Sequence, residues 1–333
     1  FLLADKIDPE DALPYAEVDV EDLAREPRMT LPSYAGTTSD GAALSLTAEA
    51  AMPGNADKPA EALKVRLELA TPDGATTQLN AASAIMDPGG RMIVLSGGVT
   101  LTTSQGYVLE TPEIRASLDR SGLEAPSAVT ATTPSGKLTS NSMTLSQDNQ
   151  TPNTYLMVFK GDVRLVYLPG GLSQRVGRMG MTLRSWVLAA TFAVLAPPVL
   201  AQEATIAFGA LEQDTTLPVE VAADQLSVNN ADGTATLSGN VVVTQGKMTL
   251  SAASMLITYG TDGKSIDQLT ATGGVKVTNL GDAAQVNEAV YFVSTGMIEL
   301  SGDVHLTQGS SSMSGQKLMI NLKDGTGTMS GRV

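Results

Sequence analysis

The chain has 333 residues, enough for two domains, and a net charge of −14, which leaves no basic surface for nucleic acid or a polyphosphate to bind by counterion release. Cys is absent and His305 is the sole histidine, so disulfides, thiolate metal sites, multi-histidine zinc sites and most Ser-His-Asp arrangements are excluded. Aromatic residues make up 4% and charged residues 17% of the chain; Gly, Thr, Ser, Val and Leu dominate, which predicts an all-β protein.

Phe1-Leu2-Leu3-Ala4 reads as the last turn of an apolar helix begun upstream, an expected membrane anchor, with residues 1–28 as the linker after it. The acids Glu17, Asp19, Glu21 and Asp22 in that linker lack the spacing of a Ca2+ loop and are expected to be solvated. Residues 29–168 then alternate apolar and polar positions between turn dipeptides such as Asp40-Gly41, the pattern of short antiparallel strands. Residues 169–202 interrupt this pattern. After Pro169-Gly170-Gly171 come Arg184, an apolar run from Trp186 to Leu200, and Val199-Leu200-Ala201 before Gln202, which is the order and size of a secretory signal peptide, cleaved between Ala201 and Gln202. The run is shorter than the ~20 residues that cross a bilayer, and Pro197-Pro198 breaks its last turns. A signal in mid-chain makes the sequence look like two gene products end to end, by fusion, translation through a stop or a merged gene. From 203 to 333 the strand pattern returns and stops at Ser330-Gly331-Arg332-Val333, expected to lie inside a last strand.

One phrase recurs in both halves: two residues, Gly, one variable residue, Val and an alternating tail. It reads LSGGVTL at Leu95–Leu101, FKGDVRL at Phe159–Leu165, LSGNVVV at Leu237–Val243, ATGGVKV at Ala271–Val277 and LSGDVHL at Leu300–Leu306. The Gly is expected to supply the bulged backbone where a strand begins, after which Val241 and Val243 share one face and Val242 and Thr244 the other. His305, between Val304 and Leu306, is expected at the surface. Such strands close into a barrel, stack as a solenoid, or fold into a double sheet open at both ends; composition alone favours an ordinary packed sandwich over an open groove. No nucleophile elbow, phosphate loop or dinucleotide fingerprint is present, so no catalytic residue, cofactor or metal is expected.

In the second half, LPVEVAADQLSV (Leu217–Val228) and LSGNVVVTQGKMTLSAASMLITY (Leu237–Tyr259) resemble the LptA family. In the first half, YAGTTSDGAALSLTAEAA (Tyr34–Ala51), LNAASAIMDPGGRMIVLSGGVTL (Leu79–Leu101) and PSGKLTSNSMTL (Pro134–Leu145) resemble the LptC family. Both are OstA-like lipopolysaccharide-transport families, and the likeness covers residues 1–168 and 181–333. It implies two V-shaped antiparallel β-jellyrolls, an LptC-like one over 29–168 and an LptA-like one over 203–333, joined by the apolar, helical segment. The implied job is non-enzymatic: a periplasmic bridge that holds the acyl chains of lipopolysaccharide in an apolar groove on their way from inner to outer membrane. The implied partners are an inner-membrane ATP-driven complex, an outer-membrane translocon and further copies docked head to tail. The alternative is a structural or adhesive β-repeat scaffold with packed cores and no lipid ligand.

Carried over position by position, the resemblance places lipid contacts at Val219, Val221, Tyr291 and Val293. Alternation after the Gly adds Val241, Val243, Val275, Val277, Val304 and Leu306. The equivalent faces of the first half are Leu44, Leu46, Leu79, Val99, Leu101, Val163 and Leu165, and each of these residues serves equally well as plain core. The implied join pairs the edge Gly161–Tyr167, including Val163 and Leu165, with the edge Leu217–Ala223, including Val219 and Val221, by β-augmentation.

Overall fold

The computed structural model describes residues 28–37, 41–117, 122–147, 154–168, 204–207 (backbone only), 217–229, 233–260, 266–323 and 325–331. Residues 1–27 of the expected linker 1–28, the interrupting segment 169–202 and its Ala201/Gln202 boundary lie outside the described residues. Among the described residues no helix is long and apolar enough to cross a membrane.

The described chain is all β and antiparallel. Strands β1 (Met29–Thr30), β2 (Ser33–Thr37), β3 (Ala43–Thr47) and β4 (Ala50–Met52) are short and share one edge of β5 (Ala60–Ala70). There β3 covers Arg66–Ala70 and β4 covers Glu61–Leu63, with β2 and β1 outside them. A meander follows through β6 (Thr76–Met86), β7 (Met92–Thr103) and β8 (Val108–Ser117). Beyond it β9 (Gly122–Ala125), β10 (Val129–Thr133), β11 (Gly136–Ser140) and β12 (Ser142–Gln147) are strands broken in half. β9 and β10 share the edge of β8, and β11 and β12 share that of β13 (Tyr155–Tyr167).

After β14 (Ala204–Ala207) the strands are long: β15 (Val219–Asn229), β16 (Thr234–Gln245), β17 (Met248–Tyr259), β18 (Ile266–Asn279), β19 (Asp282–Phe292), β20 (Met297–Gln308) and β21 (Ser311–Asn321), with β22 (Thr326–Ser330) last. β13 pairs directly with β15, so one sheet runs through both halves, and β14 lies on the far edge of β22.

The repeated Gly phrase falls in the middle of strands, which corrects the expectation that it starts them. Gly97, Gly161, Gly239, Gly273 and Gly302 have φ of 78°, 75°, 75°, 83° and 79°, and the next residue also has positive φ in each: Gly98, Asp162, Asn240, Gly274 and Asp303. At each point the ladder skips, two residues opposing one, as Gly239 and Asn240 oppose Ala253 between the pairs Ser238–Ser254 and Val241–Ala252. This is a bulge, and it bends the strand. The first position must be Gly for two reasons: its φ is left-handed, and a Cβ there has no room. On Gly239 it would run into the Asp224 carboxylate, and on Gly97 it would lie 2.6 Å from Ala82 Cβ. The second position points into open space at Gly98 and Gly274, and Asn or Asp, which tolerate left-handed backbone, fill it elsewhere. Asn240 also donates to Asp224 Oδ2 at 2.9 Å.

Stacked side by side, these bends fold the sheet into two leaves. Leaf A holds segments such as Tyr155–Lys160 and Gln225–Asn229, and leaf B holds segments such as Val163–Tyr167 and Val219–Ala223. The apolar residues buried between them form one cluster that extends through both halves.

Candidate functional site

Because directly opposed residues in a ladder point to the same face, the register traces rows of side chains across the sheet. One inward row of leaf B begins Tyr34, Leu46, Leu67, Leu79, Leu101, Leu109. It continues through Ala131, Leu138, Leu165, Val221, Val243, Leu250, Val277, Ala284, Leu306 and Met313. Eight of the residues expected to touch lipid, Leu46, Leu79, Leu101, Leu165, Val221, Val243, Val277 and Leu306, lie on this single row. It crosses from the first half to the second at Leu165 opposite Val221 without a polar interruption. Leaf A carries a matching row of Met143, Phe159, Leu226, Leu237, Met255, Ala271, Ala289, Leu300, Leu318 and Met329.

The remaining expected contacts sit beside these rows. Val99, Val163, Val219, Val241, Val275 and Val304 are buried, as is Tyr291, while Val293 is half-buried in the turn after β19 and Leu44 half-buried near the N-terminal edge. Of the expected docking residues, Val163, Leu165, Tyr167, Val219 and Val221 all stand in the β13–β15 ladder, Leu165 opposite Val221 and Tyr167 opposite Val219. Gly161 occupies the bend, where the ladder skips, and Leu217 precedes β15, its carbonyl accepting from Gln245 Nε2 at 3.1 Å.

Between the leaves, where the halves meet, lies a cavity of about 630 Å³. Leaf B and its tips contribute Ala131, Leu138, Leu165 and Tyr167; leaf A contributes Met157, Phe159, Leu226, Val228, Ile257 and Tyr259. Lys137 is the one charged residue of the lining. It pairs across strands with outward-facing Val166, between inward Leu165 and Tyr167, so its ammonium belongs to the outer face and the cavity wall is uncharged. The tips of the leaves form the rim, with Tyr107, Ser135 and Gly136 on one side and Asn229, Gly233 and Gly260 on the other. Burial pushes the Tyr259 hydroxyl above the ordinary tyrosine value.

Deeper in the second half the leaves close. Val219 and Val243 of leaf B meet Met255, Leu269, Tyr291 and Ile298 of leaf A around a crevice of only about 20 Å³, room for about one water. Burial raises the Tyr291 hydroxyl as well. Leu237, Val241, Val277, Leu300 and Val304 are 0% exposed. On the outer face His305 is exposed, its Nδ1 3.0 Å from Ser314 Oγ. Among the described residues no group of three His, Cys, Asp or Glu side chains is placed to hold a metal ion.

The leaf A residues of the cavity were not among the expected contacts. A signal for them exists in the sequence: alternation runs in phase back through the Gly, from Leu165 and Val163 of leaf B to Phe159 and Met157 of leaf A, and from Val241 to Leu237 and Ala235.

Two family models match separate parts of the chain. Residues 27–167 match the family of lipopolysaccharide-assembly, LptC-related proteins. Residues 220–326 match the LptA/(LptD N-terminal domain) family of LPS transport proteins. An uncharacterised protein of Rhizobium meliloti (strain 1021) is 27% identical over 131 residues, 38% of this chain and 66% of that protein, so the match spans just under two thirds of the relative's length. LptH of Pseudomonas aeruginosa, described as the LptA homologous periplasmic component of the lipopolysaccharide transport device, shares 22% identity over 36% of this chain and 87% of its own, with a TM-score of 0.33.

Proposed function

We propose that this chain, which carries an LptC-related domain followed by a domain of the LptA/LptD N-terminal family, is a non-enzymatic periplasmic bridge whose interior lodges the acyl chains of lipopolysaccharide. The observation that carries this reading is the uncharged cavity at the junction of the halves, on an apolar row unbroken from Leu79 to Leu306. Its volume of about 630 Å³ falls in the range of ordinary ligand sites. Each methylene buried there contributes about 0.8 kcal/mol, so about ten of them offset the ordering cost of association without any ionic contact. Phosphates and sugars then remain in water beyond the rim, which reconciles an anionic ligand with a strongly acidic protein.

The edge-to-edge pairing of β13 with β15 is, in this reading, the unit join of the bridge. The ATP-driven complex at one membrane and the translocon at the other are proposed neighbours, as are further copies head to tail.

The packed interior of the second half favours the competing reading, a scaffold without a lipid ligand. Titration with a fluorescent lipid A analogue separates the two. A bridge binds it saturably, and Val228→Asp, at a half-buried position of the cavity wall, lowers the affinity at least tenfold while far-UV circular dichroism stays unchanged. No saturable binding by the unaltered chain assigns the protein to the scaffold class, and full binding by a folded Val228→Asp variant removes the junction cavity as the site.

A further inference from the structure

Resting on that acyl-binding reading, we propose that filling the junction cavity and docking the two halves are coupled equilibria, so that the ligand acts as a clamp on the β13–β15 seam. Neither half owns a complete wall. Met157, Phe159 and Leu165 come from one side of the seam, and Leu226, Val228 and Ile257 from the other. An acyl chain in the docked molecule leaves water on both sides at once; with the seam open, one side is lost and that surface returns to water. The ligand therefore has a higher affinity for the docked state, and by reciprocity the same factor strengthens docking when the ligand is bound.

The seam is built to feel this. Its ladder consists of two short runs, Leu156–Lys160 against Gln225–Asn229 and Val163–Tyr167 against Val219–Ala223, separated by the bend at Gly161 and Asp162. Inward residues of both runs, Met157 and Phe159 in one and Leu165 and Tyr167 in the other, are also cavity wall. Opening either run removes wall, and removing ligand exposes the apolar side chains that hold each run. A transported amphiphile would thereby tighten the join it is crossing and relax it on leaving.

Hydrogen–deuterium exchange on the unaltered chain tests the clamp, with a long-chain polyene fatty acid as fluorescent probe. At saturation the amides of β13 and β15 are expected to exchange between roughly 5-fold and 150-fold more slowly, the usual range of coupling between sites, while those of β19 to β21 change less. Saturable fluorescence with unchanged exchange in β13 and β15 overturns the clamp and leaves acyl binding standing. Absence of saturable fluorescence overturns both. A second measurement uses Ala223→Pro, which stands opposite Val163 in the seam ladder and outside the cavity lining, and weakens the seam. Probe affinity is expected to fall by a similar factor, and an unchanged affinity in a variant whose seam amides exchange faster overturns the coupling.

Discussion

The two halves are written in the same phrase and close to different degrees. Along the leaf B row, exposure falls from 61% at Tyr34 and 36% at Leu46, through half-buried Leu79, Leu101 and Leu165, to 0% at Val277 and Ala284. The inward residues hardly change in kind along that path, so the difference lies in what faces them. In the second half, β15 to β20 each run 11 to 14 residues and carry both leaves through one bend. In the first half, β1 to β4 are fragments of 2 to 5 residues, and β9 to β12 are half-strands of 4 to 6. A leaf assembled from pieces covers its partner incompletely, and the gap it leaves at the junction is the cavity. Alternation decides which side chains point inward; strand continuity decides whether they meet anything.

The sharpest way to break this contrast is to truncate one leucine in each half. Leu237, 0% exposed, sits on the leaf A row between Leu226 and Met255, and Leu237→Ala is expected to cost about 2–5 kcal/mol in transfer and cavity terms. Leu101 is half-buried between Leu79 and Leu109, has less surface to lose, and Leu101→Ala should cost roughly 1 kcal/mol. Urea midpoints of the two variants provide the measurement. Equal losses would mean that the first half is as tightly closed in solution as the second.

The bend offers a smaller and more local test, because its two positions obey different rules. Gly239→Ala places a methyl against Asp224 at a φ of 75° and should destabilise by about 1–3 kcal/mol. Gly274, at a φ of 67° with nothing near its missing Cβ, stands where Asp162, Asn240 and Asp303 already hold left-handed backbone. Gly274→Asn is therefore expected to be neutral or to stabilise by a few tenths of a kcal/mol through the unfolded chain. A thermal unfolding shift of the same sign and size for both would remove the distinction between the crowded and the open position.

These effects also explain what was legible in the sequence. Period-two alternation put Val241, Val243, Val275, Val277, Val304 and Leu306 on inward positions because that period is geometric and survives any sheet packing. It did not place the bend, since Gly with positive φ reads in sequence as the end of a strand; only pairing on both sides of Gly239 shows that the strand continues. The cavity was hidden for a related reason. Val228, Ile257 and Phe159 belong to leaf A and become a wall only when β13 lies beside β15, a contact between residues far apart in the chain. Leu46 and Tyr34 carried the right pattern yet are exposed, because pattern says nothing about the length of the leaf opposite.

The turns between strands extend the contrast at the smallest scale. In the first half, β7 and β8 are joined through Ser104–Tyr107, with one positive-φ residue, Gly106 at 84°. In the second, Asn279 pairs with Asp282, leaving a two-residue turn of Leu280 and Gly281 at φ of 48° and 101°. A tight hairpin of this kind needs positive φ at both positions, which suits Asn-Gly and strains a leucine. Leu280 gains nothing in return, being 60% exposed. The strain is local to this turn, and Leu280→Asn should recover roughly 1 kcal/mol, seen as a raised urea midpoint with an unchanged slope. A matching gain in probe affinity is not expected, because the turn lies outside the cavity wall; if affinity rose with stability, the closed second half would be taking part in ligand binding.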